Sequence, residues 1–296
     1  MELELFLNDI TECIRERISQ DVDIYINSIQ KNNGVTLSGL CIRKKGENVT
    51  PTIYMEHYFE QYRNGADIYD IADEIVRVYC QSSLRSDFDA EFYKNYENVR
   101  KNLYCKVINY DMNTQLLKDV PYGKCWDLAI VPYYELEDEQ IGTASILVRN
   151  SHLEMWNITE NELLQEAIAN TSNTMEFEVM PMLEMLRGHA VDVREFESAN
   201  ADDNIMMVAT NKRRHFGAVF IIFKDKLKEM SDTFGCDYYI IPSSVHELIL
   251  MPVTQDNNME YLDEMITYIN EAEVSREEVL ANHAYMYVRQ EEVLKF

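Results

Sequence analysis

The sequence is short of most features that would assign it to a functional class. No apolar run approaches the roughly 20 residues that a membrane-spanning helix needs, so no membrane contact is expected. The amino terminus, MELELFLNDI, is acidic and lacks the basic flank and small-residue cleavage site of a secretory signal. A cytoplasmic location follows as the expectation. Only 9 glycines and 6 prolines occur in 296 residues, which excludes long flexible linkers and low-complexity tracts. Cys13, Cys41, Cys80, Cys105, Cys125 and Cys236 stand singly, without a CxxC pair, so no disulfide scaffold is read from them. Most are expected to be small buried hydrophobes. Neither GxxxxGK[ST] nor GxGxxG occurs, which removes P-loop and dinucleotide-binding enzymes. GxSxG and HExxH are missing as well. No cofactor and no metal site is expected.

Positive charge is also scarce. There are 52 acids against 27 bases, for a net charge of −25. The excess is uneven: residues 151–200 hold ten acids and two arginines, and residues 251–296 hold ten acids and three bases. A surface this negative repels phosphate backbones, so direct nucleic-acid binding is disfavoured. It serves solubility, or it docks a basic protein partner, or it mimics a nucleic acid.

What is present is a regular alternation of strand-like and helix-like segments. Leu3, Phe6, Ile10, Cys13 and Ile14 share one face of a helix. Strands are expected at Val22–Ile29 and Val35–Ile42, with the hairpin signal Asn33-Gly34 between them. Asp67 caps a helix whose apolar face is Ile68, Ile71, Ala72, Ile75, Val76 and Tyr79. A further helix over 89–101 faces Phe92, Tyr96 and Val99 inward. From residue 103 the order is β-α-β-β-α, with a helix at 111–119 and a capping box at Thr159–Glu162. From residue 218 the order is β-α-β-β-α-β, the split plan of ferredoxin-like domains, with a strand at Ala218–Phe223 and a short capped helix from Ser275. The fold class is therefore α+β, mostly antiparallel sheets covered by helices. Three segments are expected: 1–102, 103–191 and 205–296, with an acidic stretch Asp192–Asn204 before the last and a polar loop at Lys44–Thr50. They pack as one compact domain or two. Asp127–Pro132 and Asp237–Pro242 share a pattern, so an internal pseudo-repeat is one reading, and chance is the other.

The densest group of reactive side chains is the hinge Ser243-Ser244-Val245-His246-Glu247, between apolar runs at Tyr238–Ile241 and Leu248–Met251. Ser244 and His246 lie two apart, on one side of an extended chain, where a hydroxyl and a base could act together. The competing reading is a polar turn. Asp127, at the start of an apolar strand, is either an acid with a raised pKa or a strand-entry residue facing solvent. Lys212-Arg213-Arg214-His215 is the one dense basic run. It offers a binding site for a phosphate or an acidic partner, or else lies against the chain's own acids.

Several segments carry a resemblance: Lys118-Asp119-Val120-Pro121 with Asp127–Val131, Thr210-Asn211-Lys212 with Gly217-Ala218, Ile241–Glu247, and Glu278-Val279-Leu280. Together they resemble an uncharacterised family of hypothetical proteins from anaerobic gut Firmicutes, over nearly the whole chain. That resemblance implies a bacterial cytoplasmic protein and brings no activity, cofactor or catalytic residue. Residues Trp156–Asn170 are similar to part of a second uncharacterised Firmicutes family. The function expected is thus a non-catalytic acidic binding or regulatory protein acting through a protein partner. The alternatives are a hydrolase using Ser244 and His246 or a carboxylate-bound metal, and a nucleic-acid mimic.

Overall fold

The computed structural model describes residues 2–18, 21–44, 52–83, 90–138, 142–188, 206–255 and 257–296. Most of the expected polar loop and the whole acidic stretch Asp192–Asn204 lie outside them. The chain divides into two compact units, Met1–Val99 with Glu137–Ala144, and Arg100–Leu136 with Ser145–Phe296. The class is α+β, with mostly antiparallel sheets.

In the first unit, α1 (Glu2–Arg17) buries Phe6, Ile10 and Ile14, one per turn. Its early acids and late arginines oppose the helix dipole. Strands β1 (Val22–Gln30) and β2 (Thr36–Lys44) pair antiparallel from Val22↔Lys44 to Gln30↔Thr36. They turn through Asn33 and Gly34, at φ 56° and 69°, the left-handed region those residues tolerate best. Strand β3 (Thr52–Tyr54) adds to β2. Helices α2 (Glu56–Arg63) and α3 (Ile68–Ser83) follow. Asp67 accepts the Tyr69 amide at 2.8 Å as a cap, and Ile71, Ala72, Ile75 and Tyr79 close an apolar core with the buried residues of α1. The helix expected over 89–101 is broken into α4 (Ala90–Lys94) and α5 (Tyr96–Val99). Asn95 interrupts it by capping α5, its Oδ1 accepting the Glu97 amide at 3.0 Å. The break shifts the helical phase, so Tyr93 is buried and Phe92 exposed.

The second unit holds two sheets. In the smaller, β4 (Leu103–Asn109) and β5 (Gly123–Cys125) flank β6 (Leu128–Asp138), which also pairs with β7 (Gly142–Leu147). Residues 111–119 form two short 3-10 turns instead of the expected helix. Asn109 competes for the chain there: its side chain accepts the Met112 amide at 2.9 Å, and its carbonyl receives Asn113 Nδ2 at 2.8 Å. Helix α6 (Asn150–Trp156) precedes α7 (Glu160–Thr174), which begins at the expected capping box between Thr159 and Glu162. Strand β8 (Phe177–Pro181), α8 (Met182–Gly188) and β9 (Met207–Asn211) follow. Next come α9 (Lys224–Phe234), β10 (Tyr238–Ser244), β11 (Glu247–Pro252) and α10 (Met259–Ala272), then β12 (Tyr285–Val288) and β13 (Val293–Lys295). The larger sheet runs β13-β12-β10-β11-β9-β8, and every pair is antiparallel.

One expected strand is displaced. Gly217–Ile222 is a 3-10 helix, and β9 opens the β-α-β-β-α-β order in its place. A short apolar run does not reveal its own period when it is buried all round, and Gly217 to Ile221 are all buried. Ser275–Glu278 is a single turn closed by Glu278 N–H to the Ser275 carbonyl at 2.8 Å, where a helix was expected.

Strand β10 explains why the central run lacks polar residues. Tyr238 and Ile240 face α9, packing with Leu227 and Met230. Tyr239 and Ile241 face the other way, against Leu262 and Ile266 of α10. A strand covered on both faces must be apolar at every position. Fully burying each such side chain is worth roughly 1.5–3 kcal/mol. The segments expected as two α+β units share this core, since Val107, Leu128 and Tyr133 of the smaller sheet pack into the cluster that holds Tyr238 and Leu248. The cysteines are free; Cys41 and Cys105 are buried, Cys80 is exposed and the other three are half-buried, fewer buried than expected. Among the described residues no helix is long and apolar enough to cross a membrane.

Candidate functional site

The turn after β9 holds two non-glycine residues in an uncommon backbone conformation. Arg214 and Phe216 both adopt left-handed φ, 50° and 56°. Such conformations cost a non-glycine residue free energy and persist only where neighbours enforce them. The enforcement is visible. Asn211, itself buried, receives the His215 amide on Oδ1 at 3.3 Å and donates Nδ2 to the His215 carbonyl at 2.8 Å. The Phe216 amide donates to Nδ1 of His246 at 3.1 Å. Thr210 donates its hydroxyl to the His246 carbonyl at 2.9 Å. Gly217 fits only because it has no side chain: a Cβ would lie 2.6 Å from the His246 carbonyl oxygen and 2.7 Å from Thr210 Cα.

His246 therefore belongs to the architecture of that turn. Its Nδ1 is an acceptor, which places the ring proton on Nε2, 3.7 Å from a Glu278 carboxylate oxygen. The Ser244 hydroxyl accepts the His246 backbone amide at 3.0 Å, and Ser243 donates to Glu247 at 3.2 Å. Ser244 and His246 thus adjoin, with the hydroxyl and the ring each engaged by a backbone amide. Burial depresses the His246 pKa; Lys106 adds to that, and Glu278 and Glu247 oppose it. His215 lies with its ring 5.1 Å from that of His246 and is depressed to about 4, by burial first and then by His246 and Lys106. The Lys106 ammonium stands 4.0 Å from the centroid of the Phe216 ring, a cation–π contact.

Asp127 lies elsewhere in the unit, at the turn into β6. Its carboxylate accepts Nε2 of His283 at 2.9 Å and the Tyr285 hydroxyl at 2.8 Å. Burial alone would raise its pKa, but those hydrogen bonds outweigh it and the carboxyl is lowered. His283 is raised, chiefly by its bond to Asp127 against burial. Its Nδ1 meets the Ala284 carbonyl at 3.1 Å, so both ring nitrogens face acceptors and the imidazolium is favoured.

The basic run does not act as one patch. Lys212 pairs with Glu176 at 2.5 Å, and its amide donates to the Glu176 carbonyl at 3.0 Å. Arg213 pairs with Glu135. The Glu135 side chain is only 5% exposed, the most deeply buried carboxylate among the ion pairs of the described residues. These two pairs line a cleft of about 300 Å³ together with Tyr104, Met175 and Asn211. Arg214 lies outside it, beside Glu178 and Glu184. Sequence reading singled out Lys212 and Arg213 but missed Glu135 and Glu176. No local signal marks Glu135: it directly follows the apolar run Leu128–Tyr134 and is the first of the acids that end β6. Among the described residues no group of three or more His, Cys, Asp or Glu could hold a metal ion.

A family described as being of unknown function (DUF5688) matches residues 3–289, and the chain belongs to it. No curated protein and no solved structure matches the chain.

Proposed function

We propose, for this member of a family of unknown function, a non-catalytic binding or regulatory role exercised on a basic protein partner in the cytoplasm of a gut Firmicute. The observation that carries the reading is the outer face of α10. Tyr261 and Tyr268, seven residues apart on one stripe, are 63% and 73% exposed, and Ile269 beside them is 41% exposed. Exposed aromatic side chains two turns apart on one helix face offer a partner apolar anchors with a polar tip. Glu260, Glu264 and Glu271 frame that stripe, all exposed and none in an ion pair among the described residues. An apolar stripe edged by free carboxylates matches an amphipathic basic segment, and the net charge of −25 steers such a partner toward it. The engagement of Ser244 and His246 by backbone amides supports a structural part for the hinge. The same negative surface argues against direct nucleic-acid binding.

The test is capture of a partner from lysate by the intact chain, repeated on a Tyr261→Ser/Tyr268→Ser variant and on Ser244→Ala. The reading expects a basic protein that is released by high salt, lost with the tyrosines and kept by Ser244→Ala. A partner indifferent to both salt and the tyrosine pair would remove it. Hydrolysis of ester, phosphate or peptide substrates by the parent chain, abolished in Ser244→Ala, would replace it with an enzyme.

A further inference from the structure

A long strand edge in the first unit is unpaired among the described residues. Strand β1 borders its three-stranded sheet and hydrogen-bonds only with β2. The Lys31 amide donates to the Val35 carbonyl at 2.7 Å, which makes that pair a hydrogen-bonded one. Antiparallel ladders alternate, so the backbone N–H and C=O groups of Val22, Ile24, Ile26, Ser28 and Gln30 point away from β2. Such a row is a template for another strand, and proteins blunt it with lysine, proline, a bulge, short length or a cover. The chain does so elsewhere. Strands β3 and β13 have three residues each, and β8 ends in Pro181. Helix α7 covers β4, where Thr171 Oγ1 accepts the Cys105 amide and Asn170 Nδ2 donates to the Leu103 carbonyl, both at 2.9 Å. Strand β1 carries no such device among the described residues: it runs nine residues without Lys, Arg or Pro, in unbroken register with β2.

The occupant that fits is a second β1. We propose that two copies of the chain join β1 to β1, antiparallel about a two-fold axis at Ile26, and form one continuous sheet. In that register Ile26 pairs with itself, Ile24 with Ser28 and Val22 with Gln30, so every outward-facing residue of β1 gains a partner. No other centre uses the whole strand. The side chains agree with it. Asp21 and Lys31, one residue beyond each end of β1, lie opposite one another, so a carboxylate faces an ammonium at both ends of the seam. Asp23 falls opposite Ile29 and Tyr25 opposite Asn27, and no like charges meet across the strands. The net charge of −25 opposes self-association, and the end pairs offset that locally. The same edge carries an open groove lined by Glu4, Leu5, Leu7, Asn8 and Ile26, with Leu5 59% exposed. Because Ile26 is the centre of the pairing, the grooves of the two copies meet at the axis and take that leucine out of water.

Light scattering and sedimentation equilibrium of the intact chain test the proposal. The parent is expected at twice the chain mass at about 100 μM, a concentration at which a micromolar dimer is nearly complete. Ser28→Pro, on an exposed residue whose N–H points outward, removes a donor from the seam and leaves the β2 ladder intact. It is expected to raise the dissociation constant about tenfold or more. Should that variant unfold, Asp21→Lys sets like charges at both ends and is expected to weaken the dimer about threefold or more. Adding Lys31→Asp is expected to restore it, at the parent's net charge. A monomeric parent overturns the proposal, including one whose β1 takes up a strand of another protein instead. So does a dimer that Ser28→Pro and Asp21→Lys both leave at the parent's strength. The Tyr261→Ser/Tyr268→Ser variant is expected to dimerise like the parent. Loss of the dimer there would move the interface to α10 and overturn the assignment to β1, whereas loss of a basic partner there bears only on the α10 surface.

Discussion

His246 and His283 sit in the same unit at nearly the same exposure, 24% and 28% of the side chain, and their pKa values move in opposite directions. Burial penalises the charged ring in both. The difference lies in which way the hydrogen bonds run. His283 presents both nitrogens to acceptors, Asp127 and the Ala284 carbonyl, and this favours the cation and raises its pKa. His246 receives a backbone N–H on Nδ1, which only a neutral ring can do. The nearby Glu278, at 3.7 Å, is too distant to reverse that. Degree of burial therefore says little about a histidine's charge; the partner's donor or acceptor character decides it.

Removing the acceptor tests the cationic half most severely. Asp127→Ala leaves the His283 ring and the Tyr285 hydroxyl without their partner, and is expected to destabilise the second unit by about 2–4 kcal/mol in urea unfolding. Asp127→Ala and His283→Ala combined should cost less than the sum of the two, because the pair acts as one element. Additive losses would show that the two side chains are not coupled.

The neutral half is probed at His246. His246→Ala leaves the Phe216 amide unpaired in a left-handed turn and is expected to cost about 1–3 kcal/mol. His246→Asn, whose side-chain carbonyl can take the place of Nδ1, should recover most of that loss. Equal losses in the two variants would mean that the ring's packing against Phe216, not its acceptor, matters.

The smallest effect is on pH dependence, and there His283 should diverge in sign from the depressed histidines His215 and His246. His283 lies above its ordinary 6.5, so its contribution is full below about pH 6.5 and fades as pH rises through the folded value. Asp127 lies below its ordinary 3.8, so its contribution is present above that value and fades as pH falls through the folded one. The pair is strongest between roughly pH 4 and 6.5. His215 and His246 are depressed; they cost nothing above about pH 6.5 and progressively more as acid protonates the unfolded chain, down to about 4 for His215. Comparing urea midpoints at about pH 5 and pH 8.5, His283→Ala should lose more stability at the lower pH, while His215→Ala should fare better there relative to the parent. Parallel profiles would collapse the distinction.

Much of the fold was legible because its signals are local. The one-per-turn spacing of Phe6, Ile10 and Ile14 reports a buried helical face whatever covers it. Asn33-Gly34, Asp67 and the Thr159–Glu162 box act through their own backbone neighbours. The errors arose where a local preference met a competing partner. Asn95 and Asn109 redirect nearby amides and cut short two expected helices. Ala218–Phe223 is apolar throughout, so no period distinguishes strand from 3-10 helix. The candidate site was half legible: a dense basic run stands out in an acidic chain, but its carboxylate partners do not stand out among 52 acids.

The sequence by itself thus determined the α+β class, the strong negative charge, the positions of most helices and of the first hairpin, and the apolar runs that became β10 and β11. Only the tertiary structure decided that Glu135 meets Arg213, that Asp127 meets His283 across 156 positions, and that His246 anchors Phe216. The physical reason is that periodicity and capping fix which face of an element is apolar and where the element ends. They carry no information about which distant element will be packed opposite, and the charge state of a buried side chain depends on that opposite partner.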